Sequence, residues 1–169
     1  YLFHVKQNNG WLMIYHEEHG KDFVAHKSVI TQLLAAGFDV AAINMPGGGR
    51  NPKPTLCNPV QGCVRIAAHN SFALVEPSEG HALRFFLEPV IATLSGPGRE
   101  YEHIAMMGLS GGGWTTTLAA ALDERIDVSF PVAGSLPLHL RTGESVGDWE
   151  QVLPGIAHLV SYEDLYIMA

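Results

Sequence analysis

The residues best suited to chemistry lie in Gly108-Leu109-Ser110-Gly111-Gly112, a G-x-S-x-G pattern. In this pattern a serine sits on a sharp turn between a strand and a helix, where the residues two before and two after it have no room for a side chain. Gly108 and Gly112 meet that requirement. The serine can then act as a nucleophile, and the amide of Gly111 can point at an oxygen that becomes negative during acyl transfer.

The flanking sequence supplies the elements that such a turn needs. Ile104 to Leu109 is a short apolar run, typical of a strand buried on both faces of a parallel sheet. Thr115 to Leu122 is rich in Ala and Leu and favours a helix, and Ile126 to Val132 predicts another strand. The pattern alone is weak evidence in a chain with 18 glycines, and the alternative is a serine that only caps the helix. The strand and helix around Ser110 favour the nucleophile.

Upstream of this stretch, strand patterns alternate with helix patterns. The predicted strands are Leu2 to Val5, Trp11 to Tyr15 and Phe38 to Asn44, with the turn sequence Asn8-Asn9-Gly10 between the first two. The predicted helices are Lys27 to Ala36, ended by Gly37, and the apolar stripe Leu83 to Leu94, capped by Ser78 and bent at Pro89. This alternation predicts an α/β fold with a mostly parallel sheet and helices on both faces, in one domain over residues 1–169.

Two segments depart from the alternation. Residues 51–77 form an irregular excursion with a helix expected from Val64 to Val75, and excursions of this length tend to serve function, here the selection of substrate. His69 within it is interpreted as a surface or packing histidine. Residues 133–169 are richer in loops and read as a partial C-terminal region. The glycines after Met45 lack a phosphate-binding pattern and are expected to line the mouth of the site.

The GLSGG sequence and the order of elements around it resemble the α/β-hydrolase family. In that family the serine attacks an acyl carbon, a histidine takes its proton and an acid orients the histidine. The resemblance implies a serine hydrolase of the esterase type, which cleaves a small or medium ester through an acyl-enzyme on Ser110 without a metal or organic cofactor. His19-Gly20 is similar to a His-Gly pair in the family's oxyanion loop, so the amide of Lys21 or its neighbour is expected to be the second oxyanion donor.

The acid and histidine partners of Ser110 are harder to assign. In the family they follow the serine, after later strands, but only one further strand is predicted here. The expectation is a truncated sheet whose partner residues lie beyond Ala169 or have been lost. Asp148 and His158 are an internal alternative in the expected chain order, and His139 and Asp164 are less favoured.

Other functions remain open at this point. His16-Glu17-Glu18-His19 resembles a metal motif, but the zinc-protease pattern has its histidines four apart on a helix, so no metal site is predicted. A serine peptidase or acyltransferase would use the same turn. A noncatalytic binding module with a hydrolase fold is the alternative from another class; a histidine within hydrogen-bonding reach of Ser110 would favour the enzyme.

Composition limits the classes of partner that this chain can be expected to bind. With 17 acidic and 10 basic residues the formal charge is −7, which argues against nucleic acid. No apolar run is long enough to span a membrane. Cys57 and Cys63 could form a disulfide, which would indicate an extracytoplasmic location, or remain thiols in the cytoplasm. If the sheet ends at Ile126 to Val132, this edge is expected to self-associate or to leave the chain marginally stable.

Overall fold

A five-stranded sheet forms the centre of the molecule in a computed structural model, which describes residues 1–60, 62–74, 81–96, 98–143 and 147–169. The strands of this sheet are β1 (Leu2–Phe3), β2 (Trp11–His16), β3 (Asp39–Ile43), β6 (His103–Leu109) and β7 (Val128–Val132), in the order β1-β3-β2-β6-β7. A separate hairpin consists of β4 (Thr55–Asn58) and β5 (Gly62–Arg65).

The sheet is mostly parallel, as predicted. Strand β2 pairs in parallel with β3 and β6, and β7 pairs in parallel with β6. Strand β1 is the exception, since it runs antiparallel to β3. The turn before β2 forms as expected, with the Asn8 side chain accepting a hydrogen bond from the Gly10 amide at 2.7 Å. The strands on its two sides are not neighbours, because β3 lies between them.

Helices cover both faces of the sheet. In the described ranges the α-helices are α1 (Lys27–Ala35), α2 (Arg84–Leu94), α3 (Gly111–Leu122), α4 (Pro154–Ala157) and α5 (Tyr162–Met168). Leu12 and Ile14 of β2 belong to a core that includes Val90 of α2 and Ala119 of α3. The intervening residues Met13 and Tyr15 pack on the opposite face, in a core that includes Phe23 and Ile30. Successive side chains of a strand point to opposite faces, so one apolar run serves both cores.

Helix α3 is buried along ten consecutive residues, Gly111 to Ala120. Three of these residues, Thr115, Thr116 and Thr117, are fully buried. Each hydroxyl donates to the carbonyl four residues earlier, at 3.2, 2.8 and 3.2 Å respectively. The helix therefore satisfies its own buried hydroxyl groups, as buried polar groups require. It also begins four residues before the helix that was predicted from Thr115.

The excursion between β3 and α2 differs from the prediction. The helix expected from Val64 to Val75 is wrong in its first part, because Gly62–Arg65 pairs with β4. A 3-10 helix covers His69–Leu74. Val75 and the predicted cap Ser78 lie outside the described residues. Cys57 and Cys63 face each other across the hairpin and form a disulfide, which is compatible with an extracytoplasmic location.

Asp39 fixes the start of β3 through a buried carboxylate. Its side chain is 0% exposed. It accepts hydrogen bonds from the Val5 amide at 2.9 Å, the Arg99 guanidinium at 2.9 Å and the Tyr101 hydroxyl at 2.9 Å, and it lies 2.7 Å from His4 Nδ1. Because these partners come from two separate segments, one carboxylate joins the N-terminal segment to the stretch before β6.

Strand β7 lies at one edge of the sheet and exposes apolar side chains. Val128, Phe130 and Val132 are 37%, 50% and 48% exposed. The self-association that was predicted from this edge stays a prediction. In the part of the chain that the structure describes, no helix has both the length and the apolar character needed to cross a membrane.

Candidate active site

Ser110 adopts a backbone conformation that non-glycine residues rarely take. It lies between the end of β6 and the start of α3, with φ 55° and ψ −116°. Its amide donates to the Val132 carbonyl at 2.8 Å, and its carbonyl accepts from the Trp114 amide at 3.0 Å. A conformation of this kind costs about 1–3 kcal/mol and persists only where the surrounding structure imposes it. The side chain is half-buried.

The glycines two residues before and after Ser110 lie at points of close approach. A Cβ on Gly108 would collide with the Gly112 carbonyl and lie 2.6 Å from Thr116 Oγ1. A Cβ on Gly112 would collide with the His16 carbonyl and lie 2.6 Å from that of Glu17. Both obstacles include backbone atoms, which cannot move aside as a side chain can. The spacing in the sequence therefore corresponds to a steric requirement of this turn.

The loop after β2 packs against the turn at Gly111. A Cβ on Gly111 would collide with the imidazole of His19 and lie 2.7 Å from Met45 Cε. The Gly111 amide is at the N-terminus of α3, where the first N–H groups of a helix have no partner within the helix. Lys21, the predicted second donor, is exposed, and its ammonium group lies 2.8 Å from Glu18 Oε1. His19 therefore contacts the turn at Gly111. The side chain of Lys21, two residues later in the chain, lies in solvent.

Asp148 and His158 are not brought together. Asp148 Oδ2 lies 3.3 Å from His19 Nε2, whereas His158 is exposed. Within the described ranges, His158 makes no hydrogen bond or ion pair, and the Ser110 hydroxyl makes no hydrogen bond. The pair that the chain order suggested therefore does not form a triad with Ser110 in this structure.

His139 and Asp164, the less favoured residues of the sequence analysis, make local contacts. His139 Nδ1 is 3.6 Å from Glu163 Oε1, and both side chains are exposed. Asp164 caps α5 by exchanging hydrogen bonds with Ser161. That exchange is a capping box, and it occupies the carboxylate of Asp164 at the start of a surface helix.

The residue that the sequence analysis missed is Glu150. It is 1% exposed, and its Oε1 lies 2.8 Å from His19 Nε2 and 3.2 Å from His69 Nδ1. His69 is itself buried, and its ring contacts the ring of Phe86 edge-on at 5.0 Å between centroids. The packing role predicted for His69 is therefore only part of its environment. An isolated glutamate in a loop gives no sequence signal of burial.

The ionisable groups in this cluster shift one another's pKa values. Burial alone would raise the pKa of Glu150, but the neighbouring imidazoles of His19 and His69 outweigh it and lower that pKa to about 2. Burial lowers the pKa of His19, and Glu150 together with Asp148 reverses this, so the net pKa is raised. His16 is fully buried, and burial lowers its pKa to about 4. His16 is thus neutral near pH 7, beside a cluster that carries charge.

The His-Glu-Glu-His sequence does not form one site. Its first glutamate, Glu17, is fully buried and points to His26, whose Nδ1 lies 2.9 and 3.0 Å from the two carboxylate oxygens. The Tyr15 hydroxyl also donates to Glu17, at 3.3 Å. His19 turns the other way, toward Glu150. The zinc-protease interpretation was not favoured by the sequence, and this division of the side chains gives it no support.

Two cavities lie near the cluster. One, of about 370 Å³, is lined by His19, His69, Asp148 and the glycine loop 47–49, the loop that was expected at the mouth of the site. The other, of about 210 Å³, is mostly apolar and is lined by Trp114 and Leu118 of α3 together with residues of the C-terminal region, including Glu150. Ser110 is not among the residues that line either cavity.

Comparisons with known proteins identify a similar fold. No protein-family model and no curated protein matches the sequence. A solved structure of Est1E from Butyrivibrio proteoclasticus with ferulic acid bound superposes with a TM-score of 0.62 at 20% identity, covering 98% of this chain and 68% of that chain. A second structure of Est1E gives a TM-score of 0.59 at 20% identity, covering 99% and 68% of the respective chains. At this identity the similarity concerns the fold.

Proposed function

We propose that Ser110 is the nucleophile of a serine esterase acting on a small or medium ester. The proposal starts from the α/β-hydrolase fold of this chain. The observation that carries the proposal is the backbone of Ser110, a non-glycine residue with φ 55° at the junction of β6 and α3. Strain of this kind concentrates at functional sites. A residue that merely capped the helix would need no such conformation, because caps adopt ordinary extended backbone angles.

The reaction proceeds through an acyl-enzyme. Ser110 Oγ attacks the carbonyl carbon of the ester, its proton passes to a general base, and the tetrahedral intermediate carries a negative oxygen. The Gly111 amide, and an amide at or near Lys21, donate hydrogen bonds to that oxygen; each such donor is worth roughly 10²- to 10³-fold in turnover. The alcohol leaves with the proton, and water then attacks the acyl carbon and releases the acid and Ser110.

The substrate class is proposed from chemistry and from the similar structure. Est1E is known with ferulic acid bound, a small aromatic acid. We therefore include methyl ferulate in the panel of esters to be assayed, beside short-chain p-nitrophenyl esters. A serine peptidase or acyltransferase would share the acyl-enzyme, so hydrolysis of an ester in preference to an amide is the result expected from the panel.

The first test is labelling with a fluorophosphonate, which reacts only with an activated serine. We expect one label per chain, on the peptide that contains Ser110, and none in Ser110→Ala. Intact mass and peptide mapping provide the measurement. Ser28→Ala, which removes an exposed hydroxyl from α1, is the control and is expected to label like the unmodified chain.

One observation favours the noncatalytic alternative. Among the described residues, no histidine donates to or accepts from the Ser110 hydroxyl, so the contacts seen here do not include its base. If a folded sample, checked by circular dichroism, does not label, the chain is better explained as a binding module with a hydrolase fold. If it labels, a base within reach of Ser110 is present in the folded chain.

A further inference from the structure

Four potential ligand side chains from three distant segments meet beside the turn. His19 follows β2, His69 lies in the excursion, and Asp148 and Glu150 belong to the C-terminal region. The ligand atoms of His19, His69 and Glu150 all lie within 4.8 Å of one another. Asp148 Oδ2 adds a fourth, 3.3 Å from His19 Nε2. No single segment of the sequence contains this set, so a search for a motif would not find it.

The hydrogen bonding of His69 leaves a lone pair directed at the cluster. Its Nε2 lies 3.1 Å from the Pro46 carbonyl, which can only accept, so Nε2 carries the proton. In a neutral imidazole the other nitrogen, Nδ1, is then an acceptor. That atom faces Glu150 Oε1, another acceptor, at 3.2 Å. Two acceptors at this distance require a cation between them, either a second proton on the imidazole or a metal ion.

Around His19 and Glu150, too, hydrogen-bond acceptors outnumber donors. His19 Nε2 faces two carboxylate oxygens, Glu150 Oε1 at 2.8 Å and Asp148 Oδ2 at 3.3 Å, whereas one N–H can be directed well at only one of them. In the described part of the chain, Glu150 Oε2 is buried without any hydrogen-bond partner. A buried carboxylate oxygen without a partner is costly, unless an ion balances its charge.

We infer that His19, His69, Asp148 and Glu150 form a binding site for a divalent transition-metal ion, with zinc the best match. Two imidazoles and two carboxylates suit zinc, whereas calcium and magnesium prefer oxygen ligands alone. Zinc binds nitrogen and oxygen at about 2.0–2.2 Å, which places neighbouring ligand atoms of a tetrahedron roughly 3.3 Å apart. The separations of 2.8, 3.2 and 3.3 Å measured here are close to that value.

The arrangement around the ligands has two further properties of metal sites. A ligating histidine usually donates its second ring nitrogen to a carbonyl or carboxylate, as His69 does to Pro46. The cavity lined by His19, His69 and Asp148 gives an ion a route from solvent. The ion would join the loop after β2, the excursion and the C-terminal region. Since His19 also packs on Gly111, it would stabilise the turn that carries Ser110 without taking part in ester cleavage.

The test is zinc binding by the whole chain after treatment with a chelator. Zn²⁺ alone is titrated in competition with a chromophoric chelator, and Tm is measured with and without the metal. We expect one ion per chain and a rise in Tm. Co²⁺ is then substituted for zinc, and visible bands typical of tetrahedral coordination are expected. These measurements need no substrate, so their outcome does not depend on the esterase proposal.

Two variants and a matched control assign the ligands. Glu150→Gln keeps the shape of the side chain but removes its charge, and His69→Gln removes an imidazole. Each is expected to weaken zinc binding by more than the roughly 10- to 100-fold that outer-shell changes cost. His103→Gln removes a half-exposed imidazole at the opposite end of β6 and is expected to bind zinc like the unmodified chain. Circular dichroism checks that each variant is folded.

The inference is overturned by either of two results. In the first, the unmodified chain binds no stoichiometric zinc and its Tm does not change with the metal, in which case the cluster does not hold an ion. In the second, zinc binds equally well to a folded Glu150→Gln or His69→Gln variant, in which case the metal is held elsewhere. Because the first result uses only the unmodified chain, a variant that fails to fold does not remove the test.

Discussion

Gly112→Ala is expected to destabilise the fold by more than about 3 kcal/mol, at or beyond the upper end of ordinary overpacking. The new methyl group would collide with the His16 carbonyl and lie 2.6 Å from the Glu17 carbonyl. These backbone atoms belong to the end of β2 and the residue after it, and β2 is the strand between β3 and β6. Relief would therefore require α3 to move away from the sheet, or β2 to shift within it.

Urea unfolding followed by circular dichroism measures this change, with two other glycines for comparison. Gly155→Ala in α4 adds a methyl group with no atom within 4 Å and is expected to be nearly neutral. Gly111→Ala meets the His19 ring and Met45 Cε, which are side-chain atoms, so a smaller loss of stability is expected. A Gly112→Ala protein as stable as Gly155→Ala would mean that the close approach of α3 to β2 is not present in solution.

Asp39→Asn is expected to lower the free energy of unfolding by about 2–3 kcal/mol. Breaking a buried ion pair costs about 3–5 kcal/mol. We expect a smaller loss here because the side chains of His4 and Arg99 are 52% and 39% exposed and can turn to solvent. The amide keeps the size of the carboxylate. It can accept some of the four contacts, but it loses the charge that strengthens them.

The effect of Asp39 depends on pH in a defined direction. Burial alone raises the pKa of Asp39, and hydrogen bonds from His4, Val5, Arg99 and Tyr101 outweigh it, so the net pKa is well below the usual value. A depressed carboxyl pKa contributes stability that is fully present above the unfolded pKa of about 4 and is lost as the pH falls below it. The difference between the unmodified chain and Asp39→Asn should thus shrink by roughly 1 kcal/mol between pH 7 and pH 3.

Urea unfolding at both pH values gives this difference, and Glu124→Gln is the control. Glu124 is exposed, so the change is expected to have little effect at either pH. An Asp39→Asn variant whose deficit is as large at pH 3 as at pH 7 would show that the ionised carboxylate does not provide the stability.

The parts of the fold that the sequence predicted are those with local causes. Apolar spacing and a following glycine predicted the helix from Lys27, and the structure has it at Lys27–Ala35, with Gly37 at φ 93°. Unbroken apolar runs predicted β3 and β6 within a few residues. The partner of β1 was not predictable, because strand pairing depends on contacts distant in sequence. The sequence from Val64 predicts a helix, but Cys57 and Cys63 join this segment to β4 as a hairpin.

The candidate site likewise has one part that the sequence predicts and one part that it does not. The turn at Ser110 could be predicted because its steric needs appear as glycines at fixed spacing. The cluster around Glu150 could not, since a glutamate in an irregular segment is ordinarily exposed and nothing nearby indicates otherwise. His19 and Glu150 are 131 residues apart in sequence, and only the folded chain brings them together. Asp148 was selected for its position relative to His158, but its contact is with His19.

The three buried threonines of α3 bear on how related sequences would be compared. Thr115, Thr116 and Thr117 look polar, yet each returns its hydroxyl to its own helix and presents a β-branched shape to its surroundings. Valine keeps that shape and removes only the hydroxyl donor, whereas serine keeps the hydroxyl and leaves a void where the methyl group was. In evolutionary terms, valine is the conservative replacement at these positions and serine is not. A substitution score based on polarity would rank the two in the wrong order.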